Sequence, residues 1–171
     1  METKVCAFTG HRPQSLPFGF NESDKRCASL KGMLHSEIIR LIEEKSVTHF
    51  ISGMAIGVDM YAAEIVLALK QTYPQIVLEA AIPCISQPDK WSEALRKRYA
   101  DILSRCDIKT LIQKEYTADC MEKRNRYMVD KADYVIAVWD GRPSGTGKTV
   151  KYAQKHCKEV SIINPQKLSN E

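Results

Sequence analysis

YVIAVWDGRPSGTGKTV, residues 134–150, runs from an almost unbroken apolar stretch into a loop of small and polar residues and on into a helical pattern. An apolar run at 134–139 without polar alternation reads as a strand covered on both faces, the condition of an interior strand in a parallel sheet. The following loop contains Gly147-Lys148-Thr149 and invites a phosphate-loop ATPase reading. That motif needs a further glycine five positions upstream, so that successive backbone N–H groups wrap the β-phosphate while Lys caps it and the hydroxyl holds magnesium. Arg142 stands there, Gly141 is one residue too far, and no apolar strand ending in Asp follows to hold a metal. The ATPase reading therefore ranks last, and the stretch is read as strand, anion-favouring loop, then helix over 149–156.

Outward from this unit, short β-type runs alternate with helical patterns along the whole chain. Strands are expected at 4–8, 48–51, 77–82, 108–112 and 160–163. Helices are expected at 23–44, where Cys27, Leu30, Leu34, Ile38, Leu41 and Ile42 share one face, at 59–69, 89–104 and 119–131. Such alternation predicts an α/β fold: a single Rossmann-like three-layer domain with a mainly parallel, doubly wound sheet and right-handed crossovers. The domain is expected to span residues 1–165, with 166–171 as a loose tail.

Composition sets further bounds. With 44% hydrophobic and 27% charged residues the chain is an ordinary globular one, and its length of 171 residues suits one core. A net charge of +4 tolerates an anionic ligand but falls short of the single-signed surface of a nucleic-acid binder, so nucleic acid is not expected as a partner. No window approaches the ~18 apolar residues of a membrane span, and the opening METKVCAFTG shows no leader pattern. A cytoplasmic protein without a membrane partner is expected. The six cysteines form no C-x-x-C pair and no zinc-ligand spacing, so reduced thiols and no metal site are expected.

In doubly wound folds ligands sit beyond the carboxyl ends of the strands. Three loops are expected to converge there: 9–12, 52–59 and 140–149. Each combines small residues, which let backbone approach a ligand, with a helix N-terminus whose free N–H groups and dipole favour anions. Gly10, His11 and Arg12 end the first strand, and Arg12 suits a bidentate phosphate or carboxylate contact. Ser52, Gly53, Met54, Gly57 and Asp59 follow the second strand, with Asp59 placed to accept from ribose hydroxyls. Asp140, Gly145, Thr146 and Thr149 follow the fifth.

Four segments, FTGHRP (8–13), SGMAIGVDMYAAE (52–64), KRNRYMVDKAD (123–133) and VWDG with SGTGKTVKYA (138–141 and 144–153), closely resemble the YpsA-like proteins of the SLOG superfamily. The resemblance covers nearly the whole chain. It implies a Rossmann-like nucleotide-binding fold whose distant relatives include DprA and the "lonely guy" phosphoribohydrolases. It identifies Gly145-Thr146 with the phosphate-cradling turn, makes Lys148 incidental, and brings Arg124 and Asn125 to the site. The hydrolases carry Met-x-x-Arg-Lys and a last-loop Glu. Here Met121-Glu122-Lys123-Arg124-Asn125 keeps the Arg only, and Thr149 stands where Glu belongs. Thr cannot serve as a carboxylate base or offset an oxocarbenium charge.

The leading expectation is thus binding or sensing of a nucleotide-derived ligand such as ADP-ribose, NAD or a nucleoside phosphate, with no other cofactor. The alternative is a nucleotide N-glycosidase in which Arg124 is catalytic. The third is single-stranded nucleic-acid binding through the basic run Arg96-Lys97-Arg98. Homodimerisation is what the resemblance implies for oligomeric state.

Overall fold

Tyr134–Val138, the apolar run at the start of the stretch above, is a strand buried at every position after Tyr134. It lies within a six-stranded sheet of the computed structural model, which describes residues 2–170. In chain order the elements are β1 (Lys4–Gly10), α1 (Lys25–Lys45), β2 (Val47–Ser52), α2 (Val58–Leu69), β3 (Val77–Ile82), α3 (Glu93–Arg105), β4 (Ile108–Leu111), α4 (Cys120–Lys131), β5 (Tyr134–Val138), α5 (Gly145–Lys155) and β6 (Glu159–Ile163). All strands pair in parallel, in the order β4-β3-β2-β1-β5-β6. The chain steps outward from β1 to β4 and then returns to β5 on the other side of β1. The direction of winding therefore reverses between β1 and β5, and their register, Cys6 opposite Tyr134 through Gly10 opposite Val138, ends both at one level.

Strand alternation distributes the core into two layers. Cys6 and Phe8 face the cluster built by Leu30, Leu34 and Ile38 of α1, Val66 of α2 and Ile102 of α3. Val5 and Ala7 face Met128 and Val129 of α4 and Ala153 of α5. Ala62 and Ala63 of α2 are fully buried, and their small side chains let that helix lie close to the sheet. One carboxylate enters the sheet's α4 side. Glu79 of β3, wholly buried, accepts from Thr110 of β4 (2.9 Å), Tyr127 (2.5 Å) and Lys131 (3.2 Å) of α4, and meets Nε2 of His49 on β2 at 2.7 Å. Burial pushes its pKa up, but these partners outweigh it and hold the carboxyl at about 2.

Element boundaries depart from expectation in informative places. Helix α5 begins at Gly145, a turn before the expected 149, because the Ser144 hydroxyl caps it by accepting from the Gly147 amide at 3.0 Å. Residues 86–91 form turns, and α3 starts only at Glu93, capped by Ser92. The stretch before α1 is ordered: a 3-10 turn at Pro13–Ser15 leads to Leu16 and Phe18, both buried in the core. Near the end, Pro165–Lys167 forms another 3-10 turn and Leu168 packs on the core. Residues 1 and 171, the outer limits of the expected domain and tail, lie outside the described residues. Among those described, no helix is long and apolar enough to cross a membrane, and all six cysteines are unpaired.

Candidate functional site

Where β1 and β5 part, a cleft of about 370 Å³ opens at the carboxyl edge of the sheet. Of the residues expected at a site, Gly10, His11, Arg12, Asp59, Arg124, Asn125, Gly145 and Thr146 line it. The α5 N-terminus forms one wall. Ser144 satisfies the Gly147 amide and Lys148 N–H bonds to the Ser144 carbonyl, while the amides of Gly145 and Thr146 have no acceptor among the described residues. Free N–H groups at the positive end of a helix dipole attract an anion.

Arg124 forms the floor. It projects from α4 and is only 4% exposed, stacked against the backbone of Gly53, where a β-carbon would lie 2.8 Å from its guanidinium. Its Nη1 donates to the Gly53 carbonyl, which also accepts from Gln87 at 3.0 Å, and its Nε donates to the Asn125 side-chain oxygen at 2.8 Å. Nη2 has no partner among the described residues, and no carboxylate there lies within ion-pair distance. Burial pushes its pKa down and the charge of Asp59 pulls it back up. A guanidinium does not give up its proton in proteins, so the cleft holds a largely buried cation with no described carboxylate in ion-pair distance and one nitrogen open to the cleft. Exposed Arg12 adds a second, also without an ion pair among the described residues.

The loop after β2 packs behind these groups and braces them. Ser52, fully buried, donates to the Asp59 carbonyl (2.9 Å) and accepts from the Met54 amide (3.2 Å), while buried Met54 takes a left-handed conformation (φ 62°). Gly57, at φ 98°, approaches the first loop so closely that a β-carbon would meet the His11 carbonyl at 3.0 Å. Ser52, Gly53, Met54 and Gly57 thus lie behind the cleft wall. Asp59 alone from this loop's expected residues reaches the cleft. Its Oδ2 accepts from the Ala55 amide at 3.2 Å, its Oδ1 has no partner among the described residues, and burial pushes its pKa up against the pull of Arg124.

Asp140 and Thr149 have other work. The Asp140 side chain, 2% exposed, accepts from Arg142 through Oδ1 (backbone amide, 3.0 Å) and Oδ2 (Nε, 2.7 Å), and its backbone amide donates to Nε2 of His11 at 3.3 Å. Arg142 holds the Asp140 carboxyl at about 2 despite burial. This buttress fixes His11 without lining the cleft. The Thr149 hydroxyl donates to the Gly145 carbonyl at 3.0 Å inside its own helix, and both it and Lys148 line a neighbouring groove. Gly145 to Lys148 are already helical, so the apparent phosphate-loop lysine stands outside the cleft on a helix rather than in a wrapping loop.

Several contributors were not expected. Gln14, Ser15 and Met121 line the cleft beside Thr9 and Ala55 of the expected loops, and Gln87 steadies Gly53 from the segment between β3 and α3. Ser144 carried a legible signal as a cap just ahead of the glycines; Gln87 carried none. The basic run on α3 is largely spent: Arg98 donates to Glu22 and Glu64, and Lys97 pairs with Glu93. No group of three His, Cys, Asp or Glu positioned to hold a metal occurs among the described residues.

Comparison with known proteins follows this geometry. UPF0398 protein BH1768 of Halalkalibacterium halodurans is 31% identical over 172 residues, covering 96% of this chain and 90% of its own, and a UPF0398 protein of Bacillus cereus is 29% identical over 159 residues, covering 92% and 85%. Among solved structures, DNA processing protein A (DprA) of Streptococcus pneumoniae matches with a TM-score of 0.61 at 19% identity, over 95% of this chain and 50% of its own. The Helicobacter pylori DprA, described for its single-stranded DNA binding mode, matches with 0.65 at 19%, over 98% and 68%. This chain thus spans only half the length of the Streptococcus protein, and at that identity the likeness is one of fold. The sequence model of the YspA SLOG family (YpsA) matches residues 6–168, nearly the whole of the ordered fold, and the chain belongs to that family.

Proposed function

We propose that this chain binds a nucleotide-derived ligand, such as ADP-ribose, NAD or a nucleoside phosphate, with a phosphate in the cleft between β1 and β5. The observation that carries the reading is Arg124: a buried cation with an unpartnered Nη2, lining one cleft with the free amides of Gly145 and Thr146. A charge-assisted hydrogen bond to phosphate relieves its desolvation, and Arg12 adds charge at the rim. The unpartnered Oδ1 of Asp59 suits a ribose hydroxyl. Calorimetric titration with a panel of such nucleotides gives saturable binding, weakened about tenfold or more by Arg124→Ala, since a hydrogen bond to a charged group contributes about 1.5–3 kcal/mol. No binding at millimolar concentration contradicts the proposal.

A hydrolytic reading has one specific support. Asp59 is the carboxyl that lines the cleft, and burial pushes its pKa above the ordinary carboxylate value, the direction a proton-transferring acid needs. Release of free base from AMP, lost in Asp59→Asn, is what that reading requires; binding without turnover leaves a sensor. The DprA likeness supports a third reading, in which the bound phosphate belongs to a single strand, and the ion pairs of Arg98 turn that reading away from α3 and toward the cleft. The family resemblance supports a homodimer, which light scattering at twice 19.4 kDa checks, and the want of a membrane-length apolar window supports a cytoplasmic setting.

A further inference from the structure

A groove of about 440 Å³ runs beside the cleft between α4 and α5, and the two share Met121, Asn125 and Gly145. Lys148 and Lys151, three residues apart and so on one face of α5, line this groove. Both are exposed, and neither has an ion pair or side-chain hydrogen bond among the described residues. The acid that lines the groove, Glu122, is taken up by Arg126 at 2.9 Å. Positive charge therefore continues out of the cleft in this direction: free amides at Gly145 and Thr146, then Lys148, whose α-carbon lies about 4.5 Å further along the helix axis than that of Gly145, then Lys151. On the other flank the adjoining cavity is lined by Arg12 and by Lys90 beside Asp89, with Trp91 packed against the core. The α4–α5 groove is the flank that, among the described residues, carries two unpaired lysines and no unpaired acid.

We infer that the ligand carries two linked anionic groups, as in a nucleoside diphosphate or a diphosphate-bridged nucleotide, the first held at Arg124 and the α5 N-terminus and the second by Lys148 and Lys151. This rests on the reading of the cleft as a phosphate site and narrows the ligand class within it.

The test is calorimetric titration of the folded protein with AMP and with ADP, repeated on the Lys148→Ala/Lys151→Ala variant and on Lys148→Arg/Lys151→Arg. ADP binds at least about tenfold more tightly than AMP to the wild type, the preference falls to about one in the alanine variant with AMP affinity unchanged, and the arginine variant keeps it. Equal affinities for AMP and ADP in the wild type, or a preference untouched by the alanine variant, overturn this inference and leave the cleft reading intact. Binding of neither overturns both. An oligo-dT that binds more tightly than ADP, with steep salt dependence, overturns it in favour of a strand.

Discussion

A β-carbon on Gly53 would sit 2.8 Å from the guanidinium of Arg124, and one on Gly10 would sit 2.5 Å from Cγ1 of Val58. These two close approaches carry different consequences. At Gly53 the obstructed atoms are the end of a side chain, so Gly53→Ala displaces Arg124 and weakens nucleotide binding about as much as Arg124→Ala does, while the unfolding midpoint moves little; parallel calorimetry and thermal unfolding separate the two effects. At Gly10 the obstructed atoms are a β-branched side chain at the first position of α2, which cannot move without the helix. Gly10→Ala is expected to lose about 1–3 kcal/mol in denaturant unfolding, and Val58→Ala in the same chain to restore part of it. Arg124→Lys is not conservative here, because a single ammonium cannot both hold the Gly53 carbonyl and present a second nitrogen to a ligand.

At the scale of elements, most of the architecture was legible because the apolar runs carry their period openly. The face Cys27, Leu30, Leu34, Ile38 and Leu41 reads as one side of a helix and is buried as one side of α1. Unbroken apolar stretches read as two-sided strands and are so. What the pattern concealed was the start of α5. Gly145 and Gly147 read as loop, since glycine disfavours helix interiors, yet the Ser144 cap outweighs that cost and begins the helix a turn sooner. That single turn moves Lys148 out of a supposed phosphate loop and onto a helix face. Ser144→Ala is expected to destabilise the protein by about 1 kcal/mol and to weaken nucleotide binding, because the α5 amides then lose their fixed direction; Ser144→Asp, which caps equally well, keeps the stability.

At the scale of the molecule, the fold was readable and its buried electrostatics were not. Glu79 draws His49, Thr110, Tyr127 and Lys131 together from two other strands and a helix. Each is an unremarkable residue in its own segment, and only the sheet order places them side by side. The Glu79 carboxyl is held at about 2, below its ordinary 4.5, so its stabilisation is complete above pH 4.5 and is lost as pH falls through about 2. Glu79→Gln is therefore expected to cost about 3 kcal/mol at pH 7, with the gap to wild type closing in acid. The cleft was legible in part: loops at strand ends advertise themselves through glycine and short polar residues, whereas Arg124 came to the site through the family resemblance alone, with nothing in its helix to mark it. Only the fold shows that it is buried, braced by Gly53 and Asn125, and left with one nitrogen unused. The most direct test of the central claim follows backbone amide resonances of the labelled protein during titration with ADP. The resonances of Gly145 and Thr146, with the Arg124 side-chain N–H signals, are predicted to shift in a saturable way; saturable shifts confined to other surfaces, or none at millimolar ligand, would contradict it.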